Sequence, residues 1–186
     1  MNSLPRTTVL ALLLSLSACS SAPATRVAPA HGPVLGLAPV GSLARAQALG
    51  DVYLAGQPSA DDLALFAELG VRTVVNLRPE SEPIGYDERA VAAELGLAYV
   101  NVPYNRPEQL DDALFGRGRE LLSAAERPLL VHCASGNRVG ALWIPWRVLD
   151  GGVELEAAVT EAKAIGLKSA ELEARARDYV RRQTTP

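Results

Sequence analysis

Residues 128–143 (Pro-Leu-Leu-Val-His-Cys-Ala-Ser-Gly-Asn-Arg-Val-Gly-Ala-Leu-Trp) constrain the fold more than any other stretch of the chain. Leu129-Leu130-Val131 is a short apolar run of the kind that forms a buried strand. A polar run, Ala134-Ser135-Gly136-Asn137-Arg138, follows at once, and an apolar helical stretch comes after it. A chain that passes from buried strand through tight loop to helix can turn the backbone N–H groups of Ala134 to Arg138 inward, as a cradle for an anion. The helix N-terminus adds partial positive charge. Arg138 adds a full charge, on a planar fork that matches two oxygens of an oxyanion. The same field favours Cys133 as thiolate, the nucleophilic form of sulfur. Gly136 suits a point where backbone must approach a ligand closely. A cysteine buried merely as a small hydrophobe would leave the Ser-Gly-Asn-Arg run unexplained.

The rest of the chain places this loop at a sheet edge. Val52-Tyr53-Leu54-Ala55 reads as a strand, followed by a turn at Gly56-Gln57-Pro58. Ser59 then caps a helix with Asp61 and Asp62 in its first turn. Residues 71–77 are mostly β-branched and apolar, as in a buried parallel strand. A loop from Arg78 to Pro83 leads to a helix over about 85–95. Residues 97–102 form a third strand, and Pro103–Pro107 another loop. A helix opening at Pro107-Glu108 precedes the fourth strand at 129–131. The helix after the Cys133 loop contains Pro145, which predicts a bend between Trp143 and Trp146. Two charged helices, about 154–164 and 170–182, are expected to cover the core from outside. Strict alternation of strand and helix predicts a three-layer α/β domain. Its central sheet should be mostly parallel, of four to five strands, with helices on both faces. Ligands bind such sheets at the carboxyl ends of the strands. The loops at Arg78, Pro103 and Cys133 all lie there, so Arg78 is a further anion-binding candidate and Gln57 a residue of the mouth.

The first 18 residues read as a processing signal, with Arg6 ahead of an apolar run, Val9–Leu16, too short to span a membrane. The run ends in Leu16-Ser17-Ala18-Cys19, which resembles the bacterial lipoprotein box. That resemblance implies cleavage before Cys19 and lipid on its sulfur and amine, with several acyl chains giving a stable anchor. Ser20 rather than Asp after the cysteine implies, by the same resemblance, a place in the cell envelope on the outer membrane, facing the periplasm. Residues 19–49 are rich in Ser, Ala, Pro and Gly, which predicts a flexible tether, with a short helix at Leu43–Leu49. The catalytic domain is then residues 50–186. Cys19 and Cys133 each have their own explanation, so no disulfide is expected.

A formal net charge of −3 offers no basic excess for nucleic acid. With His31 and His132 the only histidines, a histidine-based metal site is excluded, and the chemistry proposed for the loop needs no cofactor.

His132-Cys133-Ala134-Ser135-Gly136-Asn137-Arg138 resembles the signature loop of the cysteine-dependent tyrosine and dual-specificity phosphatases. Taken with Leu54–Ser59 and Val71–Arg78, it is more closely similar to the bacterial beta-lactamase-hydrolase-like, phosphatase-like family, over about Asp51 to Leu149. The resemblance implies a tyrosine-phosphatase-like fold and a phosphocysteine intermediate on Cys133. Arg138 would clamp the phosphoryl group, His132 would support the thiolate, and Ala134, Ser135, Gly136 and Asn137 would line the substrate cradle. The substrate would be a phosphorylated small molecule or a phosphoprotein. Two departures stand out. Four residues separate Cys133 from Arg138 where the phosphatase signature has five, a length that resembles rhodanese-type sulfur transferases carrying a persulfide. The stretch where the family places its general acid, Asn101–Pro107, holds no acid at all. Glu108, Asp111 and Asp112 come next but read as helix-dipole caps, so leaving-group protonation should be weak and aryl phosphates favoured over alkyl. Sulfur transfer, and oxyanion binding without turnover, therefore stay open as alternatives.

Overall fold

The computed structural model describes residues 35–185; the signal, Cys19, His31 and most of the expected tether lie outside that range. Six strands form one sheet: β1 (Gly36–Leu37), β2 (Gln47–Leu49), β3 (Val52–Ala55), β4 (Thr73–Asn76), β5 (Ala98–Asn101) and β6 (Leu129–His132). Their order is β1-β2-β3-β6-β4-β5. β3, β6, β4 and β5 run parallel, and these are the four strands legible in the sequence. β1 and β2 extend the edge antiparallel.

Those two edge strands correct the expected tether and the short helix at Leu43–Leu49. Ala46 and Leu49 are buried, and Gln47–Leu49 pairs with Val52–Leu54. Three residues alternating in burial make a strand, but such a run is too short to show its period in sequence. A bend at Gly41-Ser42 is tied down by Asp62 of the first helix, which accepts from the Ser42 backbone N–H at 2.7 Å and the Ser42 hydroxyl at 2.6 Å. The same carboxylate closes a capping box with Ser59. Burial disfavours the charged carboxylate, but the Ser42 and Ser59 bonds outweigh it and hold Asp62 below the usual carboxylate range.

Helices α1 (Ala60–Glu68) and α2 (Glu88–Glu94) cover one face of the sheet. α3 (Asp112–Ala124) and α4 (Asn137–Pro145) cover the other, with α5 (Leu155–Ile165) and α6 (Ala170–Thr184) packed on α4. The β6 side chains alternate between these cores: Leu129 and Val131 face α3 and α4, while Leu130 faces α1 and α2. α2 begins later than expected, where Asp87 caps it. Pro107–Gln109 is a separate 3₁₀ turn before α3. Pro145 ends the α-helical register, and Trp146–Asp150 continues as a π turn, because proline has no N–H to give the preceding turn.

Gly140 sets how closely α4 and α5 meet, since a Cβ there would lie 2.7 Å from the Ala162 carbonyl oxygen. That contact carries α5's C-terminal end to the back of the Cys133 loop.

Candidate active site

β6 is the central strand, and Cys133 follows its last residue, flanked by the ends of β3 and β4. The Cys133 N–H donates to Ala55 O at 3.4 Å, and the Leu77 N–H donates to His132 O at 3.0 Å. The Gln57 N–H donates to Ala134 O, and Gly56 pairs with Ser135 as an isolated bridge. The loop is thus strapped from the β3 side before it enters α4.

Gly136 is the hinge into that helix. It has φ +82°, in the left-handed region, and its N–H points at the Cys133 Sγ, 3.1 Å away. A Cβ at Gly136 would sit 2.1 Å from the Ile165 carbonyl oxygen. Gly136→Ala should therefore cost about 1–2 kcal/mol in backbone strain and about 1–3 kcal/mol in forced repacking. Chemical denaturation should show a loss of at least about 2 kcal/mol; an unchanged midpoint would mean that the loop is not held as described.

Arg138, in the first turn of α4, reaches across the sheet edge. Nη1 donates to Glu82 Oε1 at 2.8 Å and to Tyr104 O at 2.9 Å, and Nη2 donates to Glu82 Oε2 at 2.7 Å. Tyr104 returns the contact, its hydroxyl donating to Arg138 O at 2.8 Å. Burial opposes the charge on Arg138, but Glu82 and the Cys133 sulfur outweigh it and raise its pKa. Glu82 is held below the usual carboxylate range, first by Arg138 and then, against its own desolvation, by Arg78. The Arg78 Nε donates to Glu82 Oε2 at 3.0 Å, and its Nη1 donates to Gln57 Oε1. Two guanidiniums against one carboxylate leave this cluster one positive charge in excess. Burial, and next the Cys133 sulfur, push the Tyr104 hydroxyl well above the usual phenol range.

The site residues expected from sequence do not all converge. Cys133, Ser135, Gly136, Arg138 and Arg78 do, with Ala134 contributing backbone. His132 does not: its ring is fully buried on the α1/α2 face, away from Cys133, because adjacent strand residues point to opposite sides. There Nε2 lies 2.8 Å from Glu88 Oε1 without the alignment of a hydrogen bond. The other Glu88 oxygen accepts from Asn76 Nδ2 at 2.7 Å. The Asn137 side chain turns to the start of α6, its Oδ1 accepting the N–H groups of Lys168 at 2.7 Å and Ser169 at 3.0 Å, while the residue still lines the cleft beside Arg138. Glu82 and Tyr104 are partners that no sequence pattern announces, since they lie 56 and 34 positions from Arg138.

Beside Arg138 opens a cleft of about 310 Å³, walled by Glu82, Arg106, Ser135, Arg138, Ser169 and Leu172 among others. Cys133 is buried, 1% exposed, behind Ser135 and Arg138 of that wall. Among the described residues no three His, Cys, Asp or Glu side chains cluster as metal ligands. The assembly sets a buried sulfur, one backbone N–H aimed at it and a fixed guanidinium together at the head of α4.

Known proteins share this arrangement of sequence and fold. The sequence model of the family described as beta-lactamase hydrolase-like protein, phosphatase-like domain, matches residues 46–148. A beta-lactamase hydrolase-like protein of Xylella fastidiosa (strain Temecula1 / ATCC 700964) is 34% identical over 119 residues, 61% of this chain and 26% of that protein. The dual specificity protein phosphatase TpbA of Pseudomonas aeruginosa (strain UCBPP-PA14) is 32% identical over 118 residues, 62% of this chain and 51% of that protein. The chain thus matches about a quarter of the first relative's length and about half of the second's. A serine-for-cysteine variant of P. aeruginosa TpbA, solved in complex with phosphotyrosine, superposes with a TM-score of 0.58 at 26% identity. That superposition covers 74% of this chain and 83% of that one.

Proposed function

Because the chain belongs to the phosphatase-like domain family of beta-lactamase hydrolase-like proteins, we propose that it is a cysteine-dependent phosphatase acting on phosphomonoesters. Cys133 attacks phosphorus and carries the phosphoryl group as phosphocysteine. Arg138 and the backbone N–H groups from Ala134 to Arg138 hold its non-bridging oxygens, and Arg78 adds positive charge behind Glu82. The observation that carries this reading is Cys133 at the head of α4. Its Sγ accepts the Gly136 N–H at 3.1 Å, with the Arg138 guanidinium anchored beside it. Anion-binding N–H groups, a helix N-terminus and a fixed guanidinium around one sulfur supply both a nucleophile and a place for the group it attacks. The substrates fall in the class that TpbA's complex with phosphotyrosine exemplifies, phosphorylated small molecules or phosphoproteins.

The four-residue spacing from Cys133 to Arg138 favours a second reading, sulfur transfer through a Cys133 persulfide, and one experiment separates the two. The purified chain is assayed in parallel on an aryl phosphate and on thiosulfate with cyanide, with acid-quenched samples digested for mass spectrometry. Phosphate release, with a phosphate adduct on the Cys133 peptide, is the expected result. Thiocyanate without phosphate release would replace the phosphatase by a sulfur transferase. Neither activity, with retained oxyanion binding, would leave an oxyanion-binding protein.

As part of the same proposal, a lipid on Cys19 ties the mature chain to the bacterial envelope, on the outer membrane facing the periplasm. The Leu16–Cys19 motif supports that placement and lies outside the described residues. Among the described residues no helix is long and apolar enough to cross a membrane.

A further inference from the structure

We infer that the leaving group departs from this site as a free oxyanion, so that the substrates are phosphoryl donors with stable anionic leaving groups: phenolates, carboxylates or phosphates. The inference rests on the phosphatase reading above and concerns what that site can accept.

Among the described residues Glu82 is the one carboxylate walling the cleft. It cannot serve as the acid. Both its oxygens are taken by Arg138, one also by Arg78, and these partners keep it ionised. The other carboxylates of the neighbouring loops are committed elsewhere or stand outside it: Glu80, exposed on the Arg78 loop, walls a different depression with Tyr86 and Arg89. Asp111 caps α3, its Oδ1 accepting the Leu114 N–H at 2.9 Å. Asp112 pairs with Arg182 in a separate depression beside α6. Glu108 is exposed on the 3₁₀ turn and does not wall the cleft. What the loop presents instead is Arg106, exposed at the mouth. Gln109 Oε1 holds its backbone by accepting the N–H groups of Asn105 and Arg106 at 2.9 and 3.1 Å. A guanidinium has no proton to lend at working pH, but it stabilises negative charge that develops on a departing oxygen.

The chemistry then balances without an enzyme acid. The Cys133 thiolate forms the S–P bond as the P–O bond breaks. The electron pair leaves with the oxygen, opposite Arg106. Water next attacks phosphorus, losing its proton to solvent, and the S–P bond breaks to restore the thiolate and release phosphate. An acid in the first step would return as the base in the second. With that group missing, phosphocysteine hydrolysis is slow and the intermediate accumulates.

The test uses the purified chain and a series of ring-substituted phenyl phosphates, with glycerol phosphate as the alkyl member. kcat/KM, which reports the first step, should fall steeply as the leaving phenol becomes less acidic. The alkyl ester should fall behind by about 10²–10⁴-fold, the contribution of a general acid. kcat should be nearly constant along the aryl series, preceded by a burst of about one phenolate per chain. Arg106→Gln should steepen the dependence on leaving group. A flat dependence, or glycerol phosphate turned over as fast as the phenyl esters, would overturn the inference while leaving the phosphatase intact. An Arg106→Gln profile identical to that of the parent would remove Arg106 from it. No phosphate release from any member would overturn the phosphatase reading, and this inference with it.

Discussion

Replacing Cys133 with serine should reduce phosphate release from an aryl phosphate to the uncatalysed background while leaving the fold and the oxyanion cradle in place. The sulfur sits just ahead of α4, with the Gly136 N–H aimed at it from 3.1 Å and the Arg138 guanidinium anchored at the same helix end. A serine hydroxyl in the same place needs a neighbouring base to become a nucleophile, and the site has none to offer. His132 points to the far face of the sheet, and Glu82 is tied to two guanidiniums. Serine is also nearly the shape of cysteine and can accept the same Gly136 N–H, so the buried position stays satisfied. Steady-state turnover, calorimetric titration with inorganic phosphate and thermal unfolding separate the two effects. Lost turnover with retained phosphate binding is the expected pattern. Turnover within tenfold of the parent would show that sulfur is not the nucleophile.

The second large effect concerns Arg138. Arg138→Lys keeps the positive charge but should lower kcat/KM on an aryl phosphate by about 10²–10³-fold, the loss that follows removal of a transition-state donor. A guanidinium has five N–H donors in one plane. The edge formed by Nη1 and Nη2 is taken by Glu82, and Nη1 also reaches Tyr104 O. Nε–H and the second Nη2–H together form the remaining edge, and the Cys133 sulfur is among the groups that hold the guanidinium's charge. One edge anchors the group and the other can meet two phosphoryl oxygens. A lysine ammonium is a point charge on a flexible stem and cannot do both at once. Because Glu82 would still attract it, the ammonium should be drawn from the cradle, so phosphate affinity should fall along with the rate. A Lys variant with a kcat/KM within threefold of the parent would mean that charge alone, without the fork, carries the function.

How much of this could be read in advance differs between elements. The four parallel strands were legible because each is a short apolar run bounded by turn residues, and the helix between β3 and β4 carries its own cap in Ser59 and Asp62. β1 and β2 were not. Two or three residues show no period, and they become strands only because β3 is there to pair with. Within the site, Cys133, Gly136 and Arg138 announced themselves by local chemistry. His132 is read wrongly when only adjacency is considered, since the neighbour of a strand residue points to the opposite side. Asn137, which local logic assigns to the cradle, is drawn to α6 by the N–H groups of Lys168 and Ser169.

The sequence by itself therefore determined the Cys133 loop, from which the nucleophile is proposed, and the sheet edge that presents it. Those depend on contacts within a few residues and on hydrophobic period. Only the tertiary structure decided which groups steer Arg138 and which acids stand outside the cleft. Glu82 and Tyr104 meet Arg138 because three loops end at one sheet edge. Asp112 is turned to Arg182, 70 positions away. Such pairings link positions dozens of residues apart, and chain order leaves no local trace of them.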